Sequence, residues 1–389
     1  MATRAATALP VTRVRSRQVE EASRRSSRHI AFVLIPVGLL LVIGLGAVLS
    51  ASSVLAIREG VDNLYYFKRQ AVWMGAGLVV LVAAALTPLR LIRKLAFAAF
   101  ALSVILLIAT LLVGTRAYGA TRWLVAGPIS IQASEMAKLT TILFLATLVS
   151  RKEDSMHRIR DFMWPVAISV GIVGVLVVLQ PDLGTALMIS FGGFAVLVAS
   201  AAPLRYVLSG ALFGTGAAVI AAATSPYRWA RVTSFLDIGS DPLGGGYQVV
   251  QSLVALGTGG LWGVGLGASR ARWSFLPNAH TDFIFSIIGE ETGLAGSLVV
   301  VLLFAALTIA GTMVALRASD RFGRLVAIGI TTWLIAQALV NIGGVIGVLP
   351  ITGVPLPFVS IGGSALLTEM AAVGILISVA RTKPSGRAA

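Results

Sequence analysis

The sequence predicts an all-α membrane protein of about ten transmembrane helices, with a long extracytoplasmic loop between helices seven and eight. Three observations carry this expectation. Of the 389 residues, 57% are hydrophobic and only 12% are charged, whereas a soluble domain carries about 25% charged residues. A soluble interior cannot hide so much apolar surface, but in a bilayer helices satisfy their own backbone within an apolar solvent. The apolar residues also fall in runs near the ~20 residues that a spanning helix needs. Finally, the basic residues sit between these runs, which makes the net charge of +15 a signal of membrane orientation. No nucleic-acid partner is expected. There is no cysteine, so disulfides and Cys-based metal sites are excluded.

Residues 1–28 are rich in Arg and Ser, lack an apolar core, and read as a disordered basic cytoplasmic tail. The first apolar run, Ile30 to Ser50, is too long for the core of a cleaved signal and is expected to remain as an anchor. Ten spans follow from the apolar runs, at 30–50, 71–88, 95–113, 131–149, 163–180, 183–201, 206–224, 294–316, 324–348 and 358–380. The fifth and sixth lie close enough to form a hairpin. Together they make a membrane domain over residues 29–380, with 225–293 as the outer loop and 381–389 as a second cytoplasmic tail. With the N-terminus inside, 21 of the 31 Lys and Arg residues fall on the cytoplasmic side, 9 fall outside, and Lys138 lies within a span. That bias satisfies the positive-inside rule. Asp182, Asp237, Asp241, Asp282, Glu290 and Glu291 gather at the outer face. Function is therefore expected there, because a long loop in a compact protein usually serves a function.

The outer loop offers several candidates. Tyr227-Arg228-Trp229-Ala230-Arg231 interleaves two cations with aromatics. Tyr247 to Gly267 reads as an amphipathic interfacial helix, with Gln248, Gln251 and Ser252 on one face. Pro277 to Asp282 leads into an apolar run ending at Glu290 and Glu291. A helix starting near Asp282 would put Asp282, Ser286 and Glu290 on one face. Asp282 then has two readings: a helix cap, or a general base whose pKa is tuned by partial burial. Glu290 and Glu291 are expected to support structure.

Elsewhere, Lys138 inside a span is a functional candidate by default. The alternative, compatible with it, is an intrahelical pair with Glu135. Asp182, in Gln180-Pro181-Asp182-Leu183-Gly184-Thr185, is expected to cap the next helix. His280 has no companion ligands nearby and reads as a loop-shaping hydrogen-bonder. The glycines of Gly257 to Gly267 follow no strand, which argues against a nucleotide loop. Leu349 to Phe358 carries three prolines and a glycine, cannot be helical, and is expected to be an irregular or re-entrant segment beside a cavity. Ser360 to Ser364 then permits close backbone packing or approach of an anion.

These motifs resemble those of the SEDS family (shape, elongation, division and sporulation). The matching stretches are Trp123-Leu124, Gly127-Pro128, Ser134-Glu135, Ala137-Lys138-Leu139, Gln180 to Thr185, Val232-Thr233-Ser234-Phe235, Gly246-Tyr247-Gln248 and Gln251-Ser252. Ala279 to Phe285, Ile288-Gly289-Glu290-Glu291, Pro355 to Ser360 and Gly362-Gly363-Ser364 match as well. The resemblance covers residues 30–380 in order. Two positions depart from it: Ile361, where the family usually carries Tyr, and Thr292, where Leu is commoner. Tyr227 to Phe235 and Leu266-Gly267-Ala268-Ser269 resemble the division-type, FtsW-like branch more than the elongation-type, RodA-like branch.

The resemblance implies a ten-helix fold and a peptidoglycan glycosyltransferase. The substrates would be lipid II and the nascent glycan strand, joined by inverting transfer at the outer face of the cytoplasmic membrane. Asp282 would be the general base. Arg122, Lys138, Arg228 and Arg231 would answer the charge of the departing undecaprenyl diphosphate. Gln248, Gln251, Ser360 and Ser364 would line the substrate path, with Glu135, Asp182, His280, Glu290 and Glu291 in support. A divalent cation, Mg2+ or Mn2+, would assist that departure, although the sequence carries no dedicated ligand cluster for it. The implied partners are a class B penicillin-binding protein and other proteins of the division or elongation complex. Two rivals use the same cavity: a lipid II flippase, which needs no base, and a non-catalytic scaffold for a transpeptidase.

Overall fold

The computed structural model describes residues 11–117, 120–127, 129–151, 159–200, 202–224, 229, 235, 246–273, 276–277 and 279–382. Within them the chain is a multi-pass helical bundle. Its helices are α1 (Val11–Arg58), α2 (Tyr65–Leu86), α3 (Leu89–Val113), α4 (Ala133–Arg151), α5 (Ile159–Leu179) and α6 (Leu183–Ala199). They continue with α7 (Leu204–Ala223), α8 (Tyr247–Gly259), α9 (Ile284–Leu316), α10 (Arg321–Val345) and α11 (Gly363–Arg381). The ten expected spans fall on α1–α7 and α9–α11. Among the described residues, seven of these helices are long and apolar enough to cross a membrane: α1 from Arg28, α2, α3, α4, α9, α10 and α11. The helices α5 (from Trp164) and α6 are shorter apolar segments.

Three features differ from expectation. The helix α1 starts at Val11, where the sequence suggested coil. Between Val11 and Ile35 there is neither glycine nor proline, so a helix nucleated in the apolar run extends backward at little cost per residue. Second, a small antiparallel sheet joins α3 to α4, with β1 (Thr115–Ala117), β2 (Ala120–Ala126) and β3 (Ile129–Ile131) in the order β1-β2-β3. Third, α8 packs on α9 through Val249, Ser252, Ala255 and Gly259, which are buried. Gln248 and Gln251 stay only partly covered. Small residues, rather than the glutamines, make the inward face, because they let the two helix backbones approach.

Alternating helix ends gather in two sets. At one end, Arg321 Nη2 donates to Ser200 O (2.6 Å), Ser378 Oγ to Thr87 O (2.7 Å) and Arg381 Nη1 to Ala85 O (3.0 Å). At the other, Gln132 N donates to Ser364 Oγ (3.3 Å), Gln132 Nε2 to Asp182 Oδ2 (3.1 Å) and Gln70 Nε2 to Ser360 O (3.3 Å). The basic, short connections form the first set; the sheet, α8 and the proline-rich segment form the second.

The proline-rich segment turns back into the bundle. Val354, Leu356, Phe358 and Val359 are buried, and Phe358–Val359 lie against Gly44 near the middle of α1. A Cβ at Gly44 would stand 2.7 Å from both Phe358 O and Val359 Cα. Glycine there is a condition for the segment to enter.

The alternation of ends predicts that residues 61 and 319 lie on opposite faces of the membrane. Both are exposed, and the chain has no native cysteine. Cysteines introduced singly as Val61→Cys and Ser319→Cys should differ in intact cells, with only the first reacting with an impermeant thiol reagent. Equal labelling of the two would contradict this arrangement.

Candidate active site

Asp282 lies in the turn that precedes α9, not on the helix. The helix begins at Ile284 with Phe283 at its N-cap position and no side-chain cap. Asp282 therefore precedes the N-cap position, so the shared helical face with Ser286 and Glu290 does not form. The first turn is closed by Ser286 N donating to Phe283 O. The half-buried Asp282 lines a small pocket with Asn341, Thr352 and Gly353. Its own carbonyl accepts from Asn341 Nδ2 (2.8 Å), which also donates to Val354 O (2.8 Å). The Ser360 hydroxyl donates to Thr281 O (2.6 Å) and receives Leu356 N (2.9 Å). Ile361 N donates to His280 O (3.3 Å). Residues 280–282 are thus tied to the re-entrant segment and to α10 through backbone groups.

Below this turn, the re-entrant segment rests on a buried polar network. Lys138 Nζ lies 2.7 Å from Glu135 Oε2, one helical turn back on α4. It also donates to Gln337 Oε1 (2.9 Å), which receives Trp333 Nε1 at 2.9 Å as well, and it sits 5.2 Å from the Trp333 ring centre. Gln337 Nε2 donates to Pro355 O (3.0 Å) and to Glu369 Oε1 (3.2 Å). Glu369 Oε2 accepts Phe358 N (2.9 Å). The expectation that Lys138 answers the diphosphate charge is not met by its position, which is 0% exposed. The intrahelical pair with Glu135 exists, and the ammonium also belongs to a network spanning α4, α10 and α11.

The other expected site residues have defined roles. Asp182 caps α6, with Oδ1 accepting Thr185 N (3.1 Å) and Oδ2 accepting Thr185 Oγ1 (2.9 Å). The Arg122 guanidinium binds the carbonyls of Gln180 and Pro181 beside that cap. Ser364 is buried and receives Gln132 N. Glu290 receives the Ser269 hydroxyl and the backbone N–H groups of Arg270 (3.0 Å) and Ala271 (3.2 Å). Glu291 receives the Ser50 hydroxyl of α1. Both glutamates support structure, as expected. Gln248 and Gln251 sit apart on α8, with no side-chain hydrogen bond among the described residues. Arg228 and Arg231, together with most of their motif, lie outside the described residues.

The glycine-rich stretch after α8 lies on a break in α9. Gly293 has φ 69° and divides that helix into 284–292 and 294–316. The freed backbone groups pair with the loop: Val264 N to Glu290 O (3.0 Å), Gly265 N to Glu291 O (3.1 Å) and Leu294 N to Gly260 O (2.9 Å). A Cβ at Gly263 would overlap the Glu291 carbonyl. Close packing of backbone on backbone accounts for Gly259 and Gly263, and positive φ for Gly260, Gly265 and Gly267.

Sequence reasoning missed Gln337, Asn341 and Glu369. The signal was present: Gln337 and Asn341 stand four apart on a spanning helix, and an intramembrane carboxylate at Glu369 falls under the same rule that selected Lys138. Among the described residues, no group of three or more His, Asp or Glu could hold a metal ion.

Residues 31–385 match the FtsW/RodA/SpoVE model of cell cycle proteins. The chain belongs to that family. It is 38% identical to the stage V sporulation protein E of Bacillus subtilis over 362 residues, covering 92% of this chain and 98% of the relative. To the probable peptidoglycan glycosyltransferase FtsW of Coxiella burnetii it is 36% identical over 368 residues, covering 93% and 99%. Among solved structures, a chain of a peptidoglycan synthase complex that coordinates polymerization and crosslinking superposes with a TM-score of 0.72 at 30% identity, covering 90% and 96%. The rod shape determining protein RodA of Thermus thermophilus superposes with a TM-score of 0.68 at 28% identity, covering 90% and 96%.

The histidine beside Asp282 gives a pH prediction for this family member. Burial holds the His280 imidazole below its ordinary pKa of 6.5, against a smaller opposing pull from the Glu59 carboxylate. The unfolded chain therefore binds the proton more readily than the folded one. The stability from neutral His280 is complete above about pH 6.5 and is lost as pH falls through the window below it. Melting temperatures measured from about pH 7.5 down to about pH 5 should fall more steeply for the wild type than for His280→Asn. Parallel curves would show that His280 does not titrate in this way.

Proposed function

We propose that this chain extends glycan strands from lipid II at the outer face of the cytoplasmic membrane, with Asp282 as the general base of an inverting glycosyl transfer. The observation that carries the reading is the placement of Asp282. A carboxylate stands at a pocket, on a turn whose backbone is fixed from α10 and from the re-entrant segment. A general base needs a carboxyl group at the pocket on a backbone that is held in place. Family membership, with relatives named peptidoglycan glycosyltransferase, supports the same chemistry. The charge bias of the connections puts this end of the bundle outside and both termini in the cytoplasm.

In the proposed reaction the 4-hydroxyl oxygen of the lipid II GlcNAc attacks C1 of the strand's terminal MurNAc. The hydroxyl proton passes to Asp282 as the new C–O bond forms. The bond from C1 to the diphosphate oxygen breaks, and undecaprenyl diphosphate leaves with the electron pair. Attack opposite the leaving group turns the α-linked diphosphate into a β-glycoside. Arg122, at the outer end of α4 and α6, is a cation on the correct side to meet the diphosphate, and Arg228 and Arg231 are proposed to join it. Lys138 is enclosed in its network and is proposed to act through structure. The similarity to relatives named FtsW favours septal wall synthesis, and the likeness to a synthase complex favours a class B penicillin-binding protein as partner.

Asp282→Asn tests the mechanism. The substitution keeps the backbone carbonyl that Asn341 holds, and Asn keeps the size and most of the capping ability of Asp, so the protein should fold. It removes the proton acceptor, so polymerisation should fall by about 10²- to 10⁴-fold, while lipid II binding changes little. The readout is glycan-chain length on a gel, made from purified lipid II by the chain with its transpeptidase partner. Normal chains from a folded Asp282→Asn protein would rule out the proposed base. Flipping of lipid II by a wild type that makes no polymer would favour the transporter.

A further inference from the structure

The pocket at Asp282 contains a polar group with an unmet need. Asn341 is 5% exposed, and its Nδ2 donates to Asp282 O and Val354 O at 2.8 Å each. Those two carbonyls can only accept, and they use both hydrogens of the amide. Flipping the amide would set its oxygen against two carbonyl oxygens, so the orientation is fixed by chemistry. The remaining atom, Oδ1, is buried without a hydrogen-bond partner. A buried acceptor left unmet is costly, and folded proteins rarely keep one without a purpose. Asn341 lines the same pocket as Asp282, with Thr352 and Gly353 beside it and apolar Phe283 and Ile351 around them.

We infer that Asn341 is an acceptor-sugar binding residue, its Oδ1 receiving a hydrogen bond from the hydroxyl next to the one that Asp282 deprotonates. The inference rests on the proposed role of Asp282 and deepens it. A carbohydrate offers adjacent hydroxyls, each able to donate one hydrogen. The pocket offers two matching acceptors, one charged and one neutral. The carboxylate takes the proton of the attacking hydroxyl, and the amide oxygen holds its neighbour without ionising. Two-point contact would fix which hydroxyl faces the base and so select the linkage that is made. The same amide holds the Asp282 backbone from its other end, so one side chain sets the distance between base and sugar.

The experiment measures KM for purified lipid II, kcat and melting temperature, using the full chain with its transpeptidase partner. Asn341→Ala removes both the donor and the acceptor, whereas Asn341→Asp keeps an acceptor oxygen at the same place and loses the donor. The expected result is a lower melting temperature for both variants. KM should rise about three- to tenfold, the worth of one neutral hydrogen bond, in Asn341→Ala alone. An unchanged KM in Asn341→Ala, or an equal rise in both variants, would reduce Asn341 to a structural brace and overturn the inference. A ligand-side test holds even if Asn341→Ala does not fold. Wild-type protein given lipid II whose GlcNAc lacks the hydroxyl adjacent to the 4-hydroxyl should show the same rise in KM, and an unchanged KM would again overturn it. Failure of the base mechanism would register separately, as normal polymerisation by Asp282→Asn.

Discussion

Glu135, Lys138 and Glu369 are each no more than 2% exposed, and the ion pair they contain costs several kcal/mol of desolvation per charge. The cost is offset because each polar group finds a partner. The ammonium lies against Glu135, the Gln337 oxygen and the Trp333 face. Glu369, the other buried acidic side chain of the network, is met by N–H groups of Gln337 and Phe358. The Phe358 bond matters most for the rest of the molecule. A non-helical chain inside a membrane protein is tolerated only where its backbone groups are satisfied. Glu369, Gln337 and Asn341 supply those partners to Phe358, Pro355 and Val354. Remove the network and the re-entrant segment has buried amides with nothing to bond.

The candidate site depends on that segment. Ser360 and Ile361 hold Thr281 and His280, and Asn341 holds Asp282. The chain of contacts therefore runs from a buried charge on α4, through α10 and α11, to the turn that carries the proposed base. On the other side of that turn, the break at Gly293 lets the glycine-rich loop cover the outer end of α9. Glu290 closes that cover by gathering the N–H groups at Arg270 and Ala271. Two irregular segments thus frame one carboxylate, each stabilised by glutamates that do no proposed chemistry.

Much of this was legible in the sequence. Runs of apolar residues define a span wherever the bilayer alone sets the length, and the ten helices fell where those runs lie. The sheet at 115–131 was missed because its strands are short, and a pair such as Thr121 and Trp123 gives too brief an alternation. Asp182 was read correctly because a cap is a local device. Asp282 kept two readings, cap or base, because where the helix begins depends on tertiary bonds from Asn341 and Ser360 that hold the turn before it. Glu369 escaped notice because its partners, Phe358 and Gln337, are distant in sequence or on another helix, and no spacing rule joins them.

The central claim is that the buried ammonium holds the re-entrant segment, and with it the turn bearing Asp282. Deuterium exchange followed by mass spectrometry on Lys138→Met tests it most directly. The substitution keeps the volume and leaves Glu135 buried without its cation, at a cost of about 3–5 kcal/mol. The account predicts faster exchange at 354–361 and at 279–283, with the exchange of α7 unchanged. Wild-type protection of both segments in a folded Lys138→Met protein would contradict it.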